Sequence, residues 1–355
     1  LLLKGDLRLR CILVAASAAA GFIWSWGHYR LVIEPSEQLA GREMAVTARV
    51  LDYAVEGQGS SHIFVRLTGD GLPGVKAAVY SFDTSFSELA PGDIIKAPVK
   101  MASAVTRYGD ETNMYTSRGV FALAYLRGEP EVTGRWKLSF LYFPKNIAHA
   151  VKRQSESCFP SDVSALMKAL LTGDTSNLSR DKKLYAAMGT TGIMHAVAIS
   201  GTNVAYIVGF VRRLTGRRRR TAFICIPLII FYIFMSGCSP SVVRAGFMQI
   251  LLLIAPLLRR ENDEITSMSA VLALLLLINP ASAASVSLQL SFSAMAGVLA
   301  ITPRIYKYLW ARADKANLTD KKFVSKLLHH VLNIFSSTVG AMVFSTPLVA
   351  VHFSY

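Results

Sequence analysis

The chain has 355 residues, of which 52% are hydrophobic and only 17% are charged, and its formal net charge is +15. Soluble domains carry roughly a quarter charged residues, so this composition argues against an ordinary water-soluble enzyme and indicates long segments within a bilayer. The four cysteines lie far apart without a Cys-x-x-Cys pair, so no disulfide framework or zinc knuckle is encoded. Because the chain begins at Leu1 and ends on a hydrophobic stretch, we expect it to be a piece of a longer protein.

Apolar runs long enough to cross a bilayer recur along the chain. Such runs begin near Leu9, Ile193, Thr221, Pro240, Ile265, Ala281 and Leu327. A spanning helix needs about 20 mostly apolar residues, so the pattern predicts a polytopic α-helical membrane protein with about seven transmembrane helices. The first run, within residues 1–33, has the alternative of a cleaved signal peptide. We favour a retained anchor, because its far end carries the aromatic residues of an interfacial belt.

The distribution of cationic residues predicts the orientation of these helices. With a cytoplasmic N-terminus, the inside loops are residues 212–220, 259–264 and 303–326. They hold six, two and seven Lys or Arg residues, whereas the outside turns at 237–240 and 279–281 hold none. The positive-inside rule therefore predicts a multi-pass protein of the cytoplasmic membrane, with residues 41–137 outside. That outer segment carries 11 basic and 11 acidic residues, so the high overall charge is no evidence for nucleic-acid binding.

Residues 41–137 have the pattern of a separate β domain. Apolar and polar residues alternate in stretches such as 44–50 and 62–67, with Gly and Asp clusters between them, and a period of two predicts strands. Four or five short strands in about 100 residues predict a small barrel, with an oligonucleotide/oligosaccharide-binding (OB) barrel as the leading interpretation. A generic extracytoplasmic β sandwich is the alternative.

An OB-like barrel can stack bases on aromatic rings and guide phosphates with cations. The strand residues available for this role are Phe64, Arg66, Tyr80, Lys96, Lys100, Arg107 and Tyr108. Packing of the aromatic residues in the core is the alternative. Residues 138–191 then read as amphipathic helices that are too polar to span a bilayer, so we expect them at the outer membrane surface or at the bundle entrance.

Three helices of the segment 192–355 have one small or polar face. In the run that starts at His195, Ser200 and Asn203 fall on one face, where a lipid-facing helix would carry large apolar residues. Two interpretations are open. The face packs closely against other helices through hydrogen bonds, or it lines a wet pore with a helix interruption at Ser200 and Gly201.

The second of these helices starts at Ser239, with Pro240 at its first position and Ser241 after it, which is a strong helix-start signal. Arg244 then lies about one turn inside the membrane. A buried Arg is costly unless it meets an anion or water, so Arg244 is a candidate functional residue, and snorkelling to outer headgroups is the alternative.

The third helix carries Ser285, Gln289, Ser293 and Gly297 at intervals of four, with Ser291 beside them. This face again fits either tight packing or a hydrophilic lining. Three such faces in one bundle favour a shared aqueous path.

Several catalytic signatures are missing from the sequence. There is no Gly-x-x-x-x-Gly-Lys-[Ser/Thr] loop, no His-Glu-x-x-His and no His-x-His-x-Asp-His. We therefore expect no enzymatic activity, no catalytic residue, no cofactor and no metal site in this part of the protein.

The motifs of residues 160–355 resemble a known family, the ComEC channels that carry DNA across the cytoplasmic membrane during natural transformation. The matching pieces are Leu170-Leu-Thr-Gly173-Asp174, Gly192-Ile-Met-His195-Ala-Val-Ala-Ile-Ser200-Gly201, Ser239-Pro-Ser-Val-Val-Arg244-Ala-Gly246, Gln289-Leu-Ser291-Phe292 and Thr346-Pro347. Their order and spacing across residues 160–355 also resemble the family. The β segment is similar in position and strand content to the family's OB-like domain.

The resemblance has two departures. Family members commonly carry Leu-His after the Ser-Gly pair, where this chain has Thr202 and Asn203, which removes any role resting on that His. Many members also end in a metallo-β-lactamase-like domain that is thought to degrade one DNA strand, and this chain stops before such a region. The resemblance implies single-stranded DNA, membrane lipid, an extracytoplasmic DNA receptor and cytoplasmic helicase or single-strand-binding proteins as partners. It does not specify an oligomeric state.

The leading hypothesis is an outer OB-like domain that receives DNA and a bundle that passes a single strand inward. Its path residues are His195, Ser200, Gly201, Asn203, Ser239, Ser241, Arg244, Gln289 and Ser291. One alternative is a small-molecule or ion transporter with an extracytoplasmic sensing domain. A second is an intramembrane serine protease that uses Ser200 with His195 or His352.

Overall fold

A computed structural model describes residues 2–57, 59–69, 74–82, 86–107, 110–111, 115–174, 178, 182–191, 201–216, 218–259, 263–315 and 322–353. In chain order it has an N-terminal helix, a β barrel, a group of short amphipathic helices and a bundle of longer apolar helices. The division predicted from the sequence, at residues 1–33, 41–137, 138–191 and 192–355, stays a prediction.

The N-terminal helix α1 (Leu2–His28) continues through a π-helical turn (Tyr29–Ile33) into the short helix α2 (Glu34–Gln38). Its most apolar stretch is 0% buried within the chain. Apolar side chains such as Ile12 and Phe22 therefore point outward, as expected for a helix whose surroundings are lipid.

The described residues of the β domain form nine strands. They are β1 (Glu43–Val50), β2 (Val55–Glu56), β3 (Ser61–Leu67), β4 (Lys76–Ser81), β5 (Asp93–Ser103), β6 (Thr106–Arg107), β7 (Asp110–Glu111), β8 (Ala122–Leu126) and β9 (Glu131–Arg135). The sheet order β1-β3-β4-β8-β5 closes on itself, because β1 also pairs with β5. All pairs in this ring are antiparallel except β4 with β8.

The closed ring of five strands makes the domain an OB-like barrel, which confirms the leading prediction and rules out the open β sandwich. Alternate residues of each strand point inward, and Ala48, Val50, Ile63 and Val65 are completely buried. Because the strand period is two, the intervening residues point away from this core. Two of them, Ala78 and Leu123, are buried in a second cluster around Tyr115, against which Phe64 and Tyr80 pack.

Three amphipathic helices are described after the barrel: α3 (Phe143–Cys158), α4 (Ser161–Thr172) and α5 (Lys182–Thr190). Gly173 ends α4 with a positive φ of 77°, which is typical of a glycine at this position. Lys145 at the start of α3 forms a salt bridge of 2.6 Å with Asp52 of the barrel. This contact fixes the surface helices against the loop between β1 and β2.

The bundle has six described helices. They are α6 (Gly201–Thr215), α7 (Arg218–Met235), α8 (Pro240–Ile254), α9 (Glu264–Ile278), α10 (Val286–Lys315) and α11 (Lys322–Phe353). Together with α1, a helix lies at each of the seven predicted apolar runs. Three described segments are long and apolar enough to span a bilayer: Cys11–Gln38, Val286–Asp314 and Val324–His352. α8 and α9 are shorter apolar helices, so the count of about seven spans stays a prediction.

Helix α8 lies between two apolar clusters of the bundle. One cluster joins it to α6 and α7 around Val204, Ile229 and Val242, and the other joins it to α9 and α10 around Val271 and Phe292. Helices α10 and α11 form a tight antiparallel pair, in which a Cβ atom added at Gly297 would lie 2.1 Å from the Gly340 carbonyl oxygen.

The barrel sits against the bundle end that contains the two predicted outside turns. Asn279, between α9 and α10, donates a hydrogen bond of 2.8 Å from its side-chain Nδ2 to the carbonyl oxygen of Thr116 in the barrel. Phe143 of α3 contacts Phe231 of α7, with ring centroids 6.4 Å apart. The barrel and both turns therefore lie on the same side of any membrane that surrounds the bundle.

Candidate functional site

The outer face of the barrel carries a row of aromatic and cationic side chains across four strands. The strand register places His62 beside Tyr80, Tyr80 beside Tyr125, and Tyr125 beside Lys100. The ring of His62 stacks on that of Tyr80 with centroids 5.2 Å apart, and Tyr80 and Tyr125 are 5.8 Å apart. Phe82 is 73% exposed and stacks on Tyr125. We call His62, Tyr80, Phe82, Tyr125 and Lys100 the aromatic row.

Cations flank this row on the same face. Arg66 pairs with Lys76 across β3 and β4, and the ammonium group of Lys76 lies 5.0 Å from the ring centroid of Phe64. Burial lowers the pKa of Lys76, and the charge of Lys145 lowers it further. Flat rings beside positive charges are the groups that bind single-stranded nucleic acids without reading their sequence.

The structure separates the predicted barrel residues into two groups. Phe64, Arg66, Tyr80 and Lys100 share the face of the aromatic row, whereas Lys96 lies opposite Thr47 of β1 and Glu131 of β9. Two further candidates are elsewhere. Arg107 is in the β6–β7 hairpin and Tyr108 lies outside the described residues.

A cleft of about 210 Å³ separates the barrel from the helices beneath it. Its walls come from the barrel, α3 and α4, and its floor is the turn between α7 and α8. The lining residues include Phe64, Tyr53, His149, Lys145, Lys152 and Asp174.

Rings and ion pairs line this cleft. Tyr53 stacks on His149 at 3.9 Å, and Lys152 forms a salt bridge of 2.7 Å with Asp174. Burial lowers the pKa of His149, and the charges of Lys152 and Arg153 add to the effect. Because Phe64 belongs to both the cleft and the barrel face, the two sites are continuous.

The polar face predicted from Ser200 and Asn203 is described only in part. Asn203 donates a hydrogen bond of 3.1 Å from Nδ2 to the hydroxyl of Tyr232 in α7. A Cβ atom added at Gly201 would lie 2.8 Å from the Cβ of Ala245 in α8. Both residues therefore contact neighbouring helices closely. His195 and Ser200 lie outside the described residues.

Arg244 lies inside the bundle with incomplete hydrogen bonding. It is 6% exposed, and its Nη2 lies 3.4 Å from the hydroxyl of Ser287 at the start of α10. In the part of the chain that the structure describes, its Nε and Nη1 atoms are buried without a hydrogen-bond partner. Ser239 occupies the predicted N-cap position, but its hydroxyl makes no capping bond and is also buried without a partner in that part.

The remaining predicted path residues are half-buried. Gln289 donates a hydrogen bond of 2.9 Å to the carbonyl oxygen of Ala283, and its Oε1 lies 2.7 Å from Nε2 of His352. Ser241 lies in the first turn of α8, and Ser291 lies in the second turn of α10. The structure thus brings Arg244 to the N-terminal turn of α10, while Asn203 and Gln289 have separate partners. Among the described residues, no cluster of His, Cys, Asp or Glu could hold a metal ion.

Comparisons with known proteins identify the helical part. A family model described as Competence protein matches residues 170–355, more than half of the chain. The chain belongs to the competence protein family. The similarity to ComEC proteins inferred from the motifs is thereby confirmed.

One relative of this competence protein is ComE operon protein 3 of Bacillus subtilis (strain 168). It is 27% identical over 143 residues, which cover 39% of this chain but only 18% of that protein. No solved structure matches the chain. The family match begins in α4 and contains all six bundle helices, so the barrel lies outside it and is defined by its geometry.

Sequence reasoning missed His62, Lys76, Tyr125 and Ser287. The three barrel residues alternate with core residues, so the period of two already placed them on an outer face. The meeting of His62 and Tyr125 in the aromatic row depends on the parallel pairing of β4 with β8, which no local pattern encodes. No pattern in the sequence pointed to Ser287, because only the packing of α8 against α10 brings its hydroxyl close to Arg244.

Proposed function

We propose that this protein takes part in DNA uptake, as a membrane channel that carries single-stranded DNA across the cytoplasmic membrane in natural transformation. Transport, rather than catalysis, is the proposed role of this part of the chain. The observation that carries the proposal is the competence family match over the whole bundle. The rings on the barrel face and the buried cation Arg244 in the bundle support it.

The barrel is the proposed receiving site outside the membrane. Single-stranded DNA exposes flat bases and one negative charge per nucleotide, so it needs ring surfaces and cations at short intervals. The aromatic row provides the rings, and Lys76, Arg66 and Lys100 provide charge on the same face. Since the face continues into the cleft through Phe64, a bound strand would be directed toward the α7–α8 turn.

The bundle is the proposed passage. A polyanion crossing a low-dielectric layer needs hydrogen-bond donors and a few cations in place of water and counterions. Arg244 supplies a buried cation one turn below the outer turn, and the hydroxyls of Ser239 and Ser287 lie in the outer turns of α8 and α10. The close contacts of Gly201 with Ala245 and of Asn203 with Tyr232 require these helices to separate when a strand passes.

The receiving site can be tested with two matched lysines on one strand. Lys100 belongs to the aromatic row and lies between Tyr125 of β8 and Glu43 of β1. Lys96 is four residues away and lies between Thr47 of β1 and Glu131 of β9, without an aromatic neighbour in the register. In the purified full chain, Tyr125→Ala should weaken the binding of labelled oligothymidylate by about tenfold, since stacking on an aromatic ring contributes roughly 1–3 kcal/mol per base. Lys100→Ala should lower the salt dependence of binding by roughly 0.7 of a logarithmic slope unit.

The control Lys96→Ala should change neither quantity. Equal effects of Lys96→Ala and Lys100→Ala would show that charge alone, and not the aromatic row, attracts the strand. Unchanged binding and unchanged transformation in Tyr125→Ala would remove the barrel face from the mechanism.

A further inference from the structure

Among the residues that the structure describes, the guanidinium of Arg244 forms no ion pair. The side chain is 6% exposed, and its hydrogen-bond contact in the described residues is from Nη2 to Ser287 Oγ at 3.4 Å. Nε and Nη1 are buried and free within the same described ranges. A buried guanidinium with two free donors is unfavourable unless an anion or ordered water meets it.

The bundle sequence offers no negative charge near Arg244, because the acidic residues of its described helices, Glu264 and Asp314, lie at the ends of α9 and α10 away from Asn279 and Ser287. It has no Asp or Glu from residue 182 to residue 260, nor from residue 265 to residue 313. The salt bridges among the described residues join side chains of the α1–α2 segment, the barrel and α3–α4, and none of them includes Arg244. The counterion must therefore come from outside these helices.

A helix N-terminus lies at the same point. Ser287 is the second residue of α10, which has 30 residues, and the first backbone N–H groups of a helix have no acceptor within the helix. They add partial positive charge to that of the guanidinium. Ser287 is exposed, so a ligand can reach this point. A guanidinium, a hydroxyl and a helix start together make the donor set that binds phosphate groups.

We propose that Arg244, Ser287 and the N-terminal turn of α10 bind the anionic oxygens of a phosphodiester. The identity of its source rests on the proposed function, because a DNA strand presents such a group at every nucleotide. The near-complete burial of Arg244 removes its guanidinium from the lipid-facing surface, which favours a strand inside the bundle over a lipid headgroup. A single site of this kind binds one phosphate group at a time and can release it.

The test is the thermal unfolding of the purified full chain in detergent, with sodium phosphate compared with sodium chloride at equal ionic strength. Phosphate should raise the Tm of the unchanged protein by about 2 °C or more. Arg244→Gln should abolish this shift and Ser287→Ala should reduce it. The matched control is Ser293→Ala, which should keep the shift, because the Ser293 hydroxyl bonds to Leu290 of its own helix.

A second readout separates ligand binding from a structural role. In phosphate-free buffer, Arg244→Gln should have a Tm equal to or above that of the unchanged protein, because it removes an uncompensated buried charge. A lower Tm there would mean that Arg244 holds the bundle together, and it would overturn the proposal. An undiminished phosphate shift in Arg244→Gln would overturn it as well.

The source of the phosphodiester is tested with two probes at equal phosphate concentration. Oligothymidylate should bind the unchanged protein about tenfold more tightly than Arg244→Gln, and phosphatidylglycerol in the micelles should leave that ratio unchanged. Stabilisation by phosphatidylglycerol with no effect of Arg244→Gln on oligothymidylate binding would identify a lipid site and overturn the assignment to DNA. The Tyr125 and Lys100 variants test the proposed function independently of these outcomes.

Discussion

The barrel and the bundle use similar apolar residues in opposite ways. In the barrel, Ile63 and Val65 are completely buried, and the cation Lys96 is exposed. In the bundle, only 22% of the most apolar stretch of α10 and 11% of that of α11 are buried. Its buried cation, Arg244, lies inside. This reversal indicates that the distribution of apolar and charged residues in each region suits its surroundings. The barrel is surrounded by water, and the helices are surrounded by lipid.

The largest expected contrast is between two isoleucines. Ile63 is fully buried in the barrel, and Ile334 on α11 is 67% exposed. Ile63→Ala should lower the free energy of unfolding by about 3 kcal/mol, because it leaves a cavity in a closed core. Ile334→Ala should change it by less than about 0.5 kcal/mol. Thermal unfolding of both variants in detergent measures the difference, and a comparable loss in Ile334→Ala would mean that another protein surface covers α11.

A smaller contrast concerns two glycines within the bundle. A Cβ atom at Gly297 would lie 2.1 Å from the carbonyl oxygen of Gly340, whereas nothing lies within 4 Å of the same atom at Gly209. Gly297→Ala should therefore destabilise the protein by about 2 kcal/mol through overpacking. Gly209→Ala should stabilise it by roughly 0.5 kcal/mol, because alanine is the better helix former. Equal responses in a Tm measurement would contradict the close packing of α10 and α11.

The smallest expected effect is a decrease in the free energy of unfolding at acidic pH, caused by His62 and His149. Burial lowers the pKa of His62 and of His149 from 6.5 in the folded protein. Below pH 6.5 these two imidazoles therefore bind protons more readily in the unfolded chain than in the folded chain. The free energy of unfolding falls as the pH drops. His62→Gln should flatten this fall when the Tm is followed from pH 7 to pH 5.5. A steeper fall in the variant would mean that His62 is protonated in the folded barrel.

The sequence predicted features that depend on local patterns. Alternation gave the barrel strands, because each strand has one buried face, and apolar runs gave the positions of the helices. The start of α8 at Pro240 and the end of α4 at Gly173 followed from capping residues.

Contacts between distant residues could not be predicted in this way. The hydrogen bond from Asn279 to Thr116 joins residues 163 positions apart, and its partner is a backbone carbonyl that leaves no mark on the sequence. The polar faces of the helices were ambiguous for the same reason. Asn203 contacts another helix, whereas Arg244 keeps two donors free in the described part of the chain. Only the packing of the helices distinguishes these two cases.

The most direct measurement places a photo-crosslinking amino acid at one position at a time in cells that are taking up labelled DNA. The tested positions are Tyr125 on the barrel, Ser287 beside Arg244, and Ile334 on the outer surface of α11. Our account predicts DNA crosslinks at the first two positions and none at Ile334. Crosslinks at Tyr125 without any at Ser287 would contradict it, since the barrel would then bind DNA that never passes Arg244.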